Sequence, residues 1–154
     1  MHKLRLTLQL VAKRSPDLAL AVKTLLEEKR QMRLIGQRWE FQIGNTVIQV
    51  DNAFSWTFWG QERMLVNGEQ VHASSGRMRF SQKYQEPWLT SFGDGELKVW
   101  LRSTSTKLRC SASLGGEPIP TTVMYAKNWQ GLAGSWPKEE EWQKQLPGGG
   151  WAAS

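Results

Sequence analysis

One cysteine, two histidines and two tyrosines in 154 residues leave little material for the commoner catalytic and metal-binding arrangements. Cys110 has no second cysteine to pair with, and no Cys-x-x-Cys or Cys/His ligand cluster is present. The expectation is therefore a reducing, cytoplasmic setting with no metal and no cofactor. Long apolar runs are also missing: Arg5, Thr7 and Gln9 interrupt the leucines near the start. Neither a secretory signal nor a membrane span, which needs roughly 18 apolar residues, is expected. Gly-x-x-x-x-Gly-Lys-[Ser/Thr], Gly-x-Gly-x-x-Gly and His-Glu-x-x-His patterns do not occur.

The few chemically active side chains have structural readings. His2 lies at the start of the chain, and His72 follows a predicted strand, where a surface histidine is expected. Cys110, between Arg109 and Ser111 in a predicted strand, reads as a buried inert thiol, because alternate strand residues face opposite sides. Glu139, Glu140 and Glu141 suit a helix start, while Glu69 and Glu117 flank turns. No catalytic residue is assigned, and the chain reads as non-enzymatic.

Acidic residues are scarce in one region. Residues 1–38 hold nine Lys or Arg against Asp17, Glu27 and Glu28, which accounts for the whole net charge of +6. The rest of the chain sums to zero. This basic segment reads as a solvated face or as an arm for nucleic acid, anionic lipid or an acidic protein.

What the chain does contain is a weak internal repeat. Leu65-Val66-Asn67-Gly68-Glu69-Gln70-Val71 is echoed by Ser113-Leu114-Gly115-Gly116-Glu117-Pro118-Ile119 at a spacing of 48. The upstream strand Ile48-Gln49-Val50 is echoed by Leu97-Lys98-Val99 at a spacing of 49. The repeating unit is a β-hairpin, so the expected fold is mainly β: an antiparallel β-sandwich or barrel of two related halves.

Local patterns fill in a single domain over residues 1–154: a basic strand-helix arm over 1–38, a β-meander over 39–126 and a Trp-rich tail over 127–154. Alternating Leu4, Leu6, Leu8 and Leu10 predict a strand from about Lys3 to Ala12. Ser15-Pro16-Asp17 predicts a helix start, and Leu18, Ala21, Val22, Leu25 and Met32 give an amphipathic helix to about Met32 whose apolar stripe packs on the sheet. Trp39–Ile43 and Thr46–Val50 flank a Gly44-Asn45 turn. Further strands are expected over Phe54–Trp59, Glu62–Val66, Glu69–Ala73, Arg77–Tyr84, Trp88–Phe92, Glu96–Arg102, Lys107–Leu114 and Thr121–Tyr125. The intervening turns include Gly60-Gln61, Asn67-Gly68, Gly93-Asp94-Gly95 and Gly115-Gly116. Pro87 marks an edge or a strand start. Ser135-Trp136-Pro137 predicts a short helix continuing to about Leu146.

Nine tryptophans are the remaining anomaly. They read as core fillers and as clamps on the terminal segments. Trp56 and Trp59, three apart, face opposite sides of a regular strand, so one of them is expected at an exposed rim. Beside Arg63, Arg77 and Arg79, an exposed tryptophan would stack on bases, sugars or protein. Trp56, Trp59, Arg63, Arg77 and Arg79 are the candidate binding surface.

The two-part pattern Ile48-x-Val50, Gly60, Val66-Asn67-Gly68-Glu69 followed by Leu97-x-Val99 and Leu114-Gly115-Gly116-Glu117 resembles the β-sandwich of the Fas apoptosis inhibitory molecule family over about Trp39 to Ile119. This chain departs from that pattern in its basic strand-helix arm and its Trp-rich tail. The resemblance implies a non-enzymatic, protein-binding sandwich and supplies no catalytic residues. The preferred function is thus a soluble protein acting through protein–protein contact, an inhibitor or immunity-type protein being one version. The alternatives are nucleic-acid binding through the basic arm and exposed tryptophan, and a carbohydrate or small-ligand binding barrel. Open sheet edges also invite a homodimer.

Overall fold

The computed structural model describes residues 13, 15–77, 86–103 and 108–145. The predicted strand over Lys3 to Ala12, most of the one over Arg77 to Tyr84, and Arg79 with them lie outside the described residues. A helix, α1 (Pro16–Arg30), is followed by β1 (Met32–Ile43), β2 (Thr46–Ser55), β3 (Trp59–Val66) and β4 (Glu69–Arg77). Then come β5 (Trp88–Phe92), β6 (Gly95–Ser103), β7 (Leu108–Leu114), β8 (Glu117–Ile119), β9 (Val123–Gly131) and β10 (Gln143–Gln145).

The strands form two separate antiparallel sheets and not a closed barrel. A six-stranded sheet has the order β10-β9-β1-β2-β3-β4, and a four-stranded sheet has the order β5-β6-β7-β8. Alternation explains how the two meet. Odd residues of β1 and even residues of β2 and β3 point to one face, and there Trp39, Phe41, Ile48, Val50 and Met64 join Leu97, Val99, Leu101 and Ala112 of the second sheet in one core cluster. Burying this apolar surface is the main favourable term holding the sheets together.

The repeat in the sequence has a counterpart in register. Ile48 pairs with Val66 and Val50 with Met64 in the first sheet, while Leu97 pairs with Leu114 and Val99 with Ala112 in the second. Trp39 opposite Val50 corresponds to Trp88 opposite Val99, again 49 positions on. The β3–β4 turn holds Asn67 and Gly68 at φ 50° and 83°, and the β7–β8 turn holds Gly115 and Gly116 at 57° and 88°. Two consecutive positive φ angles give a turn whose twist matches that of the flanking strands. Each turn is tied to the start of the strand paired with its incoming strand, by Asn67 N–H to the Val47 carbonyl of β2 (2.9 Å) and by Gly115 N–H to the Glu96 carbonyl of β6 (3.1 Å).

Several expectations shift. Helix α1 starts as predicted, with the Ser15 hydroxyl accepting from Leu18 N–H and Pro16 in the first turn. Its apolar stripe does not pack on the sheet as expected, since Leu18, Leu20 and Leu25 are all more than half exposed. The partly covered line is Ala19, Val22 and Leu26. Met32 opens β1 instead of closing the helix. No strand runs over Phe54–Trp59: β2 ends at Ser55, and Trp56-Thr57-Phe58 make the turn, closed by Phe58 N–H to the Ser55 carbonyl (3.1 Å). Gly60 and Gln61, read as a turn, are buried members of β3. Pro87 does precede a strand, and that strand, β5, is an edge.

The last predicted strand is longer than expected. β9 crosses back to the first sheet and pairs along β1, with Arg38 opposite Tyr125 and Trp39 opposite Met124. The predicted helix after Ser135 is replaced by one 3-10 turn at Glu139–Glu141 and by β10, which pairs with β9 through Gln143 opposite Ala126. Residues with helical spacing lose that conformation because Trp136 and Trp142 are drawn onto the sheet and the free edge of β9 supplies backbone partners.

Close packing under that segment sets a test. A Cβ built on Gly36 would lie 2.6 Å from Trp129 Cζ3 and 3.2 Å from the Lys127 carbonyl oxygen, while Trp129 itself is flanked by the rings of Trp136 and Trp142. Gly36→Ala is expected to destabilise the fold by about 1–3 kcal/mol, the range for overpacking. Chemical denaturation checks this, and an unchanged midpoint would show that the tryptophan layer yields.

Candidate functional site

Two regions carry unusual chemistry: the outer face of the first sheet and the β2–β3 turn. The outer face begins with register. The two-residue Gly44-Asn45 turn places Arg38 of β1 directly opposite Asp51 of β2, and β2–β3 pairing places Arg63 opposite the same aspartate. The result is a cross-strand row in which one carboxylate serves two guanidiniums. Asp51 is 0% exposed and Arg38 2%. Arg38 Nε donates to Asp51 Oδ1 (2.6 Å) and Nη2 to Oδ2 (2.9 Å), and Arg63 Nε donates to Oδ2 (2.7 Å).

Over this row lies a strap, residues 132–145. Glu139 accepts from Arg38 Nη1 (2.5 Å) and Nη2 (3.1 Å). Trp142 stacks on the Arg38 guanidinium and Trp136 on that of Arg63, each with the guanidinium carbon 4.6 Å from the ring centroid. Trp129 of β9 meets both rings, at 6.0 and 6.3 Å between centroids. Gln61 fixes the near end: its Nε2 donates to the Ser135 carbonyl (2.6 Å), and its Oε1 accepts from Gly134 N–H (2.7 Å) and the Trp59 indole (2.9 Å).

The charges balance as two guanidiniums against two carboxylates. Burial alone would lower the Arg38 pKa, but hydrogen bonds to Asp51 and Glu139, with their charges, outweigh it and leave Arg38 raised. Hydrogen bonds from Arg38 hold the Glu139 carboxyl below its ordinary range against a smaller opposing effect of burial, with the charges of Arg38 and Arg63 assisting. The arrangement clamps a segment onto a sheet.

At one end of the same sheet the β2–β3 turn exposes Trp56 by 77% and Phe58 by 59%. Phe58 has φ 64°, a conformation that a bulky L-residue rarely adopts. Phe54 braces Trp56 edge-to-face at 5.9 Å. Thr57 Oγ1 lies 3.1 Å from Ser55 Oγ and 3.8 Å from Met32 Sδ, where β1 begins.

Of the residues singled out in the sequence, Trp56, Trp59 and Arg77 come together at this end, Trp59 opening β3 directly opposite Arg77, which closes β4. Trp59 is half-buried and Arg77 exposed. Arg63 lies further along β3, bound to Asp51 beneath Trp136. His72, expected at the surface, is instead half-buried. It stacks on Trp88 at 5.7 Å and lies 2.8 Å from Thr90 Oγ1, bridging β4 to β5. The Cys110 thiol packs against the core, and burial pushes its pKa up, away from the reactive thiolate. Arg38, Asp51, Phe58 and Glu139 escaped the sequence reading. The hairpin register about Gly44-Asn45 already pairs positions 38 and 51.

Among the described residues no group of three or more His, Cys, Asp or Glu is placed to hold a metal ion, and no helix is long and apolar enough to cross a membrane. Comparison with protein-family models, with curated proteins and with solved structures gives no match.

Removing one member of a buried charge cluster leaves the others uncompensated. Asp51→Asn is expected to destabilise the protein by about 3–5 kcal/mol, and more than Arg63→Met, which still leaves Asp51 paired with Arg38. Denaturant titration of both variants checks the order. The depressed Glu139 pKa sets a pH dependence: its contribution is present above the carboxylate's unfolded value and is lost as pH falls through the lower folded value. Tryptophan fluorescence followed downward from neutral pH should report loosening of the strap in that acid window, and Glu139→Gln should remove the step.

Proposed function

We propose that this chain is a non-enzymatic binding protein that acts through protein–protein contact, with the Trp56-Thr57-Phe58 turn as its contact tip. The observation that carries the reading is Phe58, held at positive φ while more than half exposed. Left-handed backbone costs an L-residue about 1–2 kcal/mol, and asparagine or glycine adopts it more readily. A bulky aromatic kept at that φ beside the 77% exposed Trp56 presents two large rings at one turn. Aromatic and Arg residues are enriched at interface centres, and Trp59 and Arg77 stand at the same end of the sheet. In this reading the two sheets form a β-sandwich of two related halves, the architecture that the resemblance to the Fas apoptosis inhibitory molecule family implies. The matched hairpin registers support that reading. The lone cysteine fits a reducing, cytoplasmic setting.

A photoreactive amino acid placed at the exposed Thr57 and activated in living cells tests this. A discrete protein adduct is expected, lost on Trp56→Ser and on Phe58→Asn. Because asparagine tolerates positive φ, Phe58→Asn keeps the backbone of the turn while removing the ring. An adduct sensitive to nuclease, or one indifferent to both substitutions, would overturn the proposal.

A further inference from the structure

The strap over the outer face of the first sheet is held there at a few defined points. Its body-side partners are Arg38, Arg63, Gln61, Trp129 and the edge of β9, and apart from the three-residue β10 ladder its side chains make most of the contacts. It joins the body through a turn at Leu132–Ser135, closed by Ser135 N–H to the Leu132 carbonyl (3.0 Å), with Gly134 at φ 84° and Leu132 exposed. The face beneath is shaped to this segment: two guanidiniums share one carboxylate, which leaves one positive charge for Glu139, and each guanidinium offers a flat surface to one strap tryptophan.

The strap is also an imperfect occupant. The Trp142 indole N–H is buried with no hydrogen-bond partner, which weakens closure and favours transient opening. A face complementary to the strap, a strap with one buried donor left unpaired and a short turn joining them are the ingredients of exchange between identical chains.

We infer that the outer face of β1–β3 is an exchangeable docking site, filled by the chain's own Leu132–Gln145 in the monomer and by the same segment of a second copy in a strap-exchanged dimer. Every contact is identical in the two forms, so the balance is set by the turn and by concentration. A strap on a short connection has an effective concentration in the millimolar range, so the wild-type chain is mainly monomeric at micromolar concentration and dimerises as concentration rises. Shortening the turn so that the strap no longer reaches its own face removes the monomer.

The test uses the full chain and a fluorescent synthetic peptide spanning Leu132 to Gln145. Saturable binding is expected, about tenfold tighter to a Glu139→Gln chain, whose weakened latch leaves the face open more often. Binding is expected to weaken at least about tenfold when the peptide carries Trp142→Ala. Sedimentation should show a dimer at micromolar concentration for a chain lacking Ala133 and Gly134. Absence of peptide binding to both chains, equal binding of the Trp142→Ala peptide, or a folded monomer from the shortened chain overturns the inference. A Trp56→Ser chain should behave as wild type throughout, which separates this outcome from the fate of the proposed contact tip.

Discussion

Asp51 is the constraint on which the first sheet depends. Its carboxylate accepts from Arg38 on one neighbouring strand and Arg63 on the other, so it stitches β1, β2 and β3 in a single register. A slip of one residue would turn every side chain to the opposite face. That would bring Arg38 and Asp51 into the core in place of Trp39 and Val50. Charge on one face and apolar bulk on the other therefore specify the same alignment. A buried ion pair contributes little net stability over an apolar substitute, so the row is better understood as setting alignment.

The cover over this row organises the rest of the outer face. Carboxylate and guanidinium groups taken out of water are penalised unless their donors and acceptors are paired, and the strap both covers the row and supplies a partner for it. Trp136 and Trp142 lie on the two guanidiniums, and Glu139 takes Arg38 Nη1, which Asp51 leaves, and shares Nη2 with Asp51. Glu139 is 63% exposed, so the cluster reaches solvent there. Gly36 is required for the same reason, since it makes room for the Trp129 ring on which the strap's tryptophans rest. The first sheet thus has a second small packing layer on its outer face, built from aromatic rings and cations instead of aliphatic side chains.

Hairpins were legible because their signals are local. Asn67-Gly68 and Gly115-Gly116 fix turn geometry by backbone permission alone, and Ser15-Pro16 fixes a helix start by capping. What escaped depends on distant partners. Arg38 looked like one more charge of a basic arm because its second partner, Glu139, lies 101 positions away. Glu139 to Glu141 looked like a helix start because sequence does not show that Trp136 and Trp142 have rings to meet on the sheet. The β2–β3 turn was misplaced for a different reason. Glycine is the usual residue at positive φ, and here Phe58 adopts it beside Gly60, which is a buried strand residue. Trp56 was legible as a candidate for exposure, and Arg63 did not show its tie to Asp51.

The second sheet shows what the charged row adds. At the offset of 49 that relates the hairpins, Arg38 corresponds to Pro87 and Asp51 to Trp100; Arg63, at 48, corresponds to Ser111. Trp100 does pair with Ser111 as Asp51 pairs with Arg63, so backbone register is kept while uncharged residues stand at these three positions. No described segment straps that face: Leu89 is half-exposed, and Trp100 is covered in part by its own neighbour Arg102, at 5.8 Å. Two sheets with matching hairpin registers thus differ at the outer-face positions on which the strap's ion pair and stacked rings rest. On the second sheet Lys98, Arg102 and Arg109 share the outer face with Trp100 and keep their charges in water, whereas on the first sheet the strap takes the Arg38–Asp51–Arg63 row out of water and must therefore pair it. The strap's tryptophans rest on that row and not on the apolar core between the sheets.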